Sequence, residues 1–408
     1  MYLNMITYKN FLPNDYLDLE WAIGLHRGML KIVGLWPQHN QDQYKEFLSK
    51  FRMLFNATII ICVLTIPALA QLMKVWGNMI QLLDNLQFSL SFLVTALKIF
   101  IMWYNKGALS LLIDMIVKDW MRVKMDEERN NMLKNARITR LFAKSGILIT
   151  ILAGLSRISS VFFKQYFGHV RNLTSFERSL PLPAYYWYDV SSSPKYELIY
   201  LAQAIGLFVC GLTYIAVDNF LGLLILHVCG QMENLYLRLF HLGKDPDFRA
   251  VLKCNVKDHI RLISCRSVET IDDTFYLLLL GMICFFSILF SFYGFLVINA
   301  VNQNAHMSIT QLASHISACI SLLIHTCLYC AVGELLVIQC GKIHSATYEC
   351  VWYTLEPKAA RDLTLIMLCA KKPLNITAGK MFPMTMSTFC SLLKTSAGYV
   401  SVLLAARN

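Results

Sequence analysis

Apolar residues gather in seven long runs, at about 53–73, 82–104, 141–163, 196–226, 273–300, 309–338 and 381–405. A helix needs roughly 20 mostly apolar residues to cross the hydrocarbon core of a bilayer, and each run supplies them. Backbone polar groups inside lipid must bond within their own segment, so the runs predict seven transmembrane helices and an all-α membrane protein. A shorter stretch, about 359–370, cannot cross and predicts a helix beside the membrane. Pro373 and Gly379 break the chain between it and the last span. The 227–272 segment keeps a helical pattern through Leu235, Leu239, Leu252, Ile260 and Ile263. The fourth, fifth and sixth spans are therefore expected to continue past the bilayer as helices.

Charge sets the orientation. With the N-terminus inside the cell, the inner segments 1–52, 105–144, 227–272 and 341–380 hold 28 of the 37 Lys and Arg, against 6 in the outer segments. Basic residues favour the cytoplasmic side, so a cytoplasmic N-terminus and an extracellular C-terminus are expected. The first twenty residues carry Asp15, Asp18 and Glu20 and lack an apolar core, so no secretory signal is expected. Asn172 heads an Asn-Leu-Thr sequon in the outer 164–195 loop and is the glycosylation candidate.

Charged residues make up 15% of the chain, well under the usual quarter of a soluble domain, which fits the membrane assignment. The net charge of +11 does not point to nucleic acid, because the basic residues lie between apolar runs. Anionic lipid headgroups are the expected partner. The 13 cysteines avoid the outer loops and sit in spans (Cys62, Cys210, Cys284, Cys319) or inner loops (Cys254, Cys265), which predicts free thiols. Cys327 and Cys330 form an isolated C-x-x-C, so no metal or other cofactor is expected. There is no H-E-x-x-H, phosphate loop or G-x-S-x-G, so no enzyme is expected. Lys98, Arg157, Glu334 and Lys394 fall inside spans. Lys98 and Glu334 are placed near inner ends, where such side chains snorkel to water.

The C-terminal third carries an ordered set of short motifs. Tyr348-Glu349-Cys350-Val351-Trp352-Tyr353 is followed by Pro357-Lys358, Arg361-Asp362-Leu363, Lys372-Pro373-Leu374 and Ile376-Thr377-Ala378-Gly379-Lys380. The set ends with Phe389-Cys390-Ser391-Leu392-Leu393-Lys394-Thr395-Ser396-Ala397-Gly398-Tyr399. It resembles the insect odorant receptor family, with weaker matches at Gly34-Leu35-Trp36-Pro37, Lys98, His259 and Glu269. The last span lacks the Thr-Tyr-(x)5-Gln-Phe ending of the related gustatory receptors. The loop between the fourth and fifth spans lacks the long insertion of the family's co-receptor. The chain therefore resembles an odour-tuning subunit.

The resemblance implies a ligand-gated cation channel that works as a heterotetramer with the co-receptor, in the plasma membrane of olfactory sensory neurons. A G-protein-coupled-type receptor or a gustatory receptor is the alternative. The implied division is a cytoplasmic 1–52 segment, six spans over 53–340, a cytoplasmic anchor at 341–380 and a pore-lining 381–408. Val402 and Ala406, four apart on one helix face, match the gate region, with Tyr399 and Lys394 on the same helix. His259 and Trp352 are subunit-anchor candidates. A pocket for a small volatile odorant is expected in the outer half of the second, third, fourth and sixth spans. Phe88, Phe92 and Thr95 share a face there at i, i+4 and i+7, joined by Ser156, Ser159, Ser160, Tyr196, Tyr200, Gln203 and His315.

Overall fold

The computed structural model describes residues 13–37, 42–77, 79–122, 124–170, 180–190, 192–241, 267–302, 309–349, 357–370 and 374–405. Long helices dominate: α1 (Pro13–Ile32), α2 (Gln43–Lys74), α3 (Met79–Tyr104), α4 (Lys106–Met121), α5 (Asp126–Val170), α6 (Lys195–His241), α7 (Ser267–Asn302), α8 (Ile309–Glu349), α9 (Pro357–Ala370) and α10 (Met386–Ala405). A two-stranded antiparallel hairpin, β1 (Thr377–Ala378) and β2 (Phe382–Pro383), precedes α10.

Six of these helices are long and apolar enough to cross a membrane: α2, α3, α5, α6, α7 and α8. With α10, which spans about 30 Å at 1.5 Å per residue, they correspond to the seven apolar runs. The short stretch before the last span forms α9, as expected. Helices α6, α7 and α8 do overrun their apolar segments: α6 continues to His241, α7 starts at Ser267 and α8 reaches Glu349. Leu235 and Leu239 are buried on the extension of α6. Leu252, Ile260 and Ile263 lie outside the described residues.

Three features exceed the sequence reading. Helix α5 begins fifteen residues before its apolar run and reaches 45 residues, because Met132, Ala136, Thr139 and Ala143 bury one face at helical spacing. Helix α4 forms in the expected inner segment and buries Leu109, Leu112, Ile113, Ile116 and Trp120. Helix α1 buries Leu19, Ala22, Ile23, His26 and Leu30 against α4, α5 and α6. Its docking is partly ionic: Arg129 Nε donates to Asp18 at 2.5 Å, and Lys124 lies 3.5 Å from Asp15. The Arg140 guanidinium also stacks 4.6 Å from the Trp21 ring.

Helix α1 ends in a Schellman turn, with Leu35 N–H donating to the Leu30 carbonyl at 2.8 Å and Gly34 N–H to the Lys31 carbonyl at 3.3 Å. Gly34 has φ +77° there, and a Cβ on it would collide with the backbone of α2 at Ser49 and Met53. Helix α2 widens to a π-turn over Ile59–Thr65, just before Pro67, which has no N–H to donate.

His26 carries a testable consequence. Burial, reinforced by the neighbouring Arg140 charge, holds its pKa down at about 4. The folded state therefore keeps His26 neutral while the unfolded chain takes a proton below the ordinary value of 6.5. The stability His26 contributes is complete above pH 6.5 and is lost as pH falls toward 4, on the order of 3 kcal/mol at the limit. Thermal melting of the detergent-purified protein should fall between pH 6.5 and 4, and His26→Leu should flatten that fall. Parallel curves for both proteins would contradict the assignment.

Candidate functional site

Helix α3 places Phe88 and Phe92 one turn apart, with ring centroids 6.3 Å from each other and Phe92 buried. The Arg157 guanidinium of α5 lies 4.6 Å from the Phe88 ring centre. Thr95 is fully buried. Its hydroxyl donates to the Ser91 carbonyl at 2.8 Å and accepts from Cys210 Sγ of α6 at 3.4 Å. Tyr293 of α7 donates its hydroxyl to Gln87, and its ring lies 5.8 Å from buried His315 of α8. Helices α5, α6 and α7 thus contact α3 between Gln87 and Thr95, and α8 joins this aromatic cluster through His315 on Tyr293.

Tyr196, Tyr200 and Gln203 belong to its margin. The Tyr196 and Tyr200 rings are 6.1 Å apart, and the Tyr200 hydroxyl donates to the Ile158 carbonyl at 3.2 Å. Gln203 accepts from Leu182 N–H and donates to the Tyr186 hydroxyl, both at 3.1 Å, which ties the 180–190 segment over α6. Ser156 and Ser160 lie exposed on α5. Ser159 and Ser160 spend their hydroxyls on their own helix, at the Ser156 and Arg157 carbonyls. The inward face of α5 is taken instead by Gly154, Arg157 and Val161. A Cβ at Gly154 would strike the Phe208 ring. Ala406, His259, Trp352 and Asn172 lie outside the described residues.

One turn further along α3, Lys98 is fully buried and paired with Asp218 of α6. Its ammonium is 3.4 Å from the Tyr214 carbonyl and 3.1 Å from the Tyr214 ring centre. His325 of α8 places Nε2 3.2 Å from Asp218 Oδ2, and its ring stacks on Tyr329 at 5.2 Å. Lys98 therefore does not snorkel to water. A neighbouring carboxylate neutralises it inside the bundle, which is how buried ions survive in low dielectric. Sequence reasoning missed Asp218 and His325, although an acid inside the 196–226 run was a visible signal.

Beside this triad, a cavity of about 360 Å³ opens between α5, α6 and α8, lined by Thr150, Asp218, Gly222, His325, Tyr329 and Val332 among others. Among the described residues, no cluster of His, Cys, Asp or Glu could hold a metal ion.

Helix α10 has two faces. Ser396 and Val400 are buried, and the helix packs along α7 and α8. Ser387, Ser391, Lys394, Thr395, Gly398, Tyr399 and Val402 are exposed, with Val402 65% accessible. The exposed hydroxyls of Ser391, Thr395 and Ser401 fold back on helix carbonyls at 2.9–3.1 Å. Glu334 of α8 holds the start of this helix. Its Oε2 accepts from Met386 N–H at 3.2 Å, and an anion at a helix N-terminus offsets its unpaired donors.

A second carboxylate fixes the hairpin before α10. Asp272 of α7 accepts from Thr377 N–H at 2.6 Å, from the Thr377 hydroxyl at 2.8 Å and from Lys380 Nζ at 2.6 Å. Asp273 also accepts from Lys380, at 2.5 Å. Partial burial works against the Lys380 charge, yet these bonds raise its pKa on balance. Gly379, at φ +64°, donates its N–H to the Tyr276 carbonyl at 2.9 Å.

Comparison with known proteins agrees with this architecture. The chain is similar to Odorant receptor 13a of Drosophila melanogaster (26% identical over 55% of this chain) and Odorant receptor 10 of Aedes albopictus (30% over 54%). These matches span 57% and 58% of those relatives, a little under three fifths of their length. Odorant receptor Or2 of Anopheles gambiae is 24% identical over 88% of this chain and 93% of its own. The fold matches that of the insect olfactory receptor OR5 from Machilis hrabei, solved in complex with eugenol. The TM-score is 0.76 at 16% identity, over 96% of this chain and all of that one. A model of the 7tm odorant receptor family matches residues 78–397, more than three quarters of the sequence. The chain belongs to the 7tm odorant receptor family.

Proposed function

We propose that the chain is an odour-binding subunit of a ligand-gated cation channel, assembled with the family's co-receptor as a heterotetramer. It acts in the plasma membrane of olfactory sensory neurons, with its N-terminus inside the cell. The observation that carries this reading is the exposed face of α10. A helix among apolar neighbours that turns Ser387, Ser391, Lys394 and Thr395 outward, away from α7 and α8, suits a wall of a water-filled pore. Val402 on the same face suits an apolar constriction that closes by dewetting. The 1–52 and 341–380 segments then lie in the cytoplasm, where the latter joins the subunits.

The aromatic cluster of α3, α5, α6, α7 and α8 is the proposed odour site. Its aromatic rings and few polar groups suit a small volatile molecule, which needs apolar contact and little hydrogen bonding.

Current recording from cells that express this chain with the co-receptor, under G-protein blockade, tests the channel. A ligand-evoked cation current that survives the block is expected, and its disappearance would favour a G-protein-coupled receptor. In the working channel, Val402→Ala should raise resting current several-fold or alter ion selectivity; neither change would remove Val402 from the gate. Phe92→Leu or Tyr200→Ala should shift the half-maximal odour concentration roughly tenfold, the equivalent of about 1.4 kcal/mol. Unchanged dose responses in both, at normal surface expression, would move the site elsewhere.

A further inference from the structure

The cavity between α5, α6 and α8 lies outside the aromatic cluster and shares none of the residues expected for odour binding. We propose that it is a second ligand site, entered sideways from the bilayer, for a neutral amphiphile carrying a hydroxyl group. This goes beyond the channel reading and does not depend on it.

The mouth of the cavity is apolar. Phe142 and Ile149 of α5 and Ile324 and Leu328 of α8 line it, and all four are exposed on the chain's outer surface. A molecule dissolved in lipid tails can enter there without crossing water. The volume of about 360 Å³ lies within the range of small-molecule sites. Gly222 of α6 is part of the lining, and nothing stands within 4 Å of where its Cβ would be.

The polar end of the cavity selects the ligand. Lys98 occupies Asp218 Oδ1, and the buried Oδ2 faces His325 Nε2 at 3.2 Å. The polar group a ligand can reach is His325, whose side chain is 31% accessible and lines the cavity. Lys98 and Asp218 already cancel in charge. A ligand ammonium or carboxylate would add an uncompensated charge in low dielectric, which is costly. A hydroxyl adds none, and it can exchange a hydrogen bond with the His325 imidazole. The chemistry thus favours a neutral alcohol or phenol with an apolar body over an amine or an acid.

Photolabelling of the purified, lipid-reconstituted protein tests the site without any need for current. The probe is octan-1-ol bearing a diazirine at carbon 7. Labels are expected on residues 142–150 of α5 and 321–332 of α8. Excess octan-1-ol should reduce labelling at least several-fold, while octane, octylamine and octanoate should not. Gly222→Leu should abolish it by filling the cavity, at an unchanged melting temperature, since leucine is the better helix former. Ser321→Phe, on the exposed edge of α8, serves as the second blocking variant should Gly222→Leu misfold. Labelling confined to residues 88–95 and 196–203, competition by octane equal to that by octanol, or full labelling of the folded blocking variant would overturn the proposal. A protein that labels as expected but conducts no current would refute the channel reading alone.

Discussion

Replacing Asp218 with alanine is expected to cost about 3–5 kcal/mol, because it strands the fully buried Lys98 ammonium without a counter-charge. The remaining partners, the Tyr214 carbonyl at 3.4 Å and the Tyr214 ring, cannot replace a carboxylate. Typical domain stabilities are only about 5–15 kcal/mol, so the variant should reach the membrane poorly and melt far below the parent. Lys98→Met should cost less. It leaves the less buried member of the pair, Asp218 at 14% accessible against none for Lys98, with His325 Nε2 still 3.2 Å away. The double variant Lys98→Met/Asp218→Leu should recover most of the loss, since an apolar pair of similar volume often matches a buried ion pair. Melting curves of the detergent-purified proteins give the coupling directly. If the double variant were as unstable as the sum of the two singles, the pair would not be the reason for the loss.

The spans were legible because seven runs of the required length leave a chain in lipid little choice. The ends of the helices were less so, because hydropathy is silent where a helix leaves the bilayer and becomes amphipathic. The signal was still present: Leu19, Ala22, Ile23, His26 and Leu30 recur at spacings of three and four, as do Met132, Ala136, Thr139 and Ala143. For the candidate site, Phe88, Phe92 and Thr95 could be placed on one helix face by arithmetic. The outward turn of Ser156 and Ser160 could not, since it depends on which face of α5 meets Phe208. Asp218 stood in plain view inside a span. Its partners did not, because Lys98 is 120 residues away in sequence and His325 comes from a third helix. The same holds for Glu334 at the start of α10 and for Asp272 at the hairpin. Each is an ordinary acid near a helix end until the fold brings a distant N–H to it.

The Asp272 contacts lead to the second large expectation. The carboxylate gathers the Thr377 N–H, the Thr377 hydroxyl and the Lys380 ammonium, and only two residues separate the hairpin from α10. Hydrogen bonds to a charged group contribute about 1.5–3 kcal/mol each when buried. Lys380 is 43% exposed and keeps Asp273, so its share is discounted, and Asp272→Ala should cost about 2–3 kcal/mol in all. The functional effect should be larger than the structural one. Helix α7 packs along α10 and also holds the hairpin that starts it, through this carboxylate and the Gly379–Tyr276 bond, so losing the carboxylate weakens the coupling between the two helices. Asp272→Ala should therefore lower the maximal ligand-evoked current more than the surface expression. Asp272→Asn, which keeps the acceptor but not the charge, should fall between it and the parent. Lys380→Met should act weakly, because the Thr377 bonds survive. Current per surface-labelled receptor separates these outcomes. Parent-like maximal current in Asp272→Ala at equal expression would mean that the hairpin contacts do not carry motion from α7 to α10.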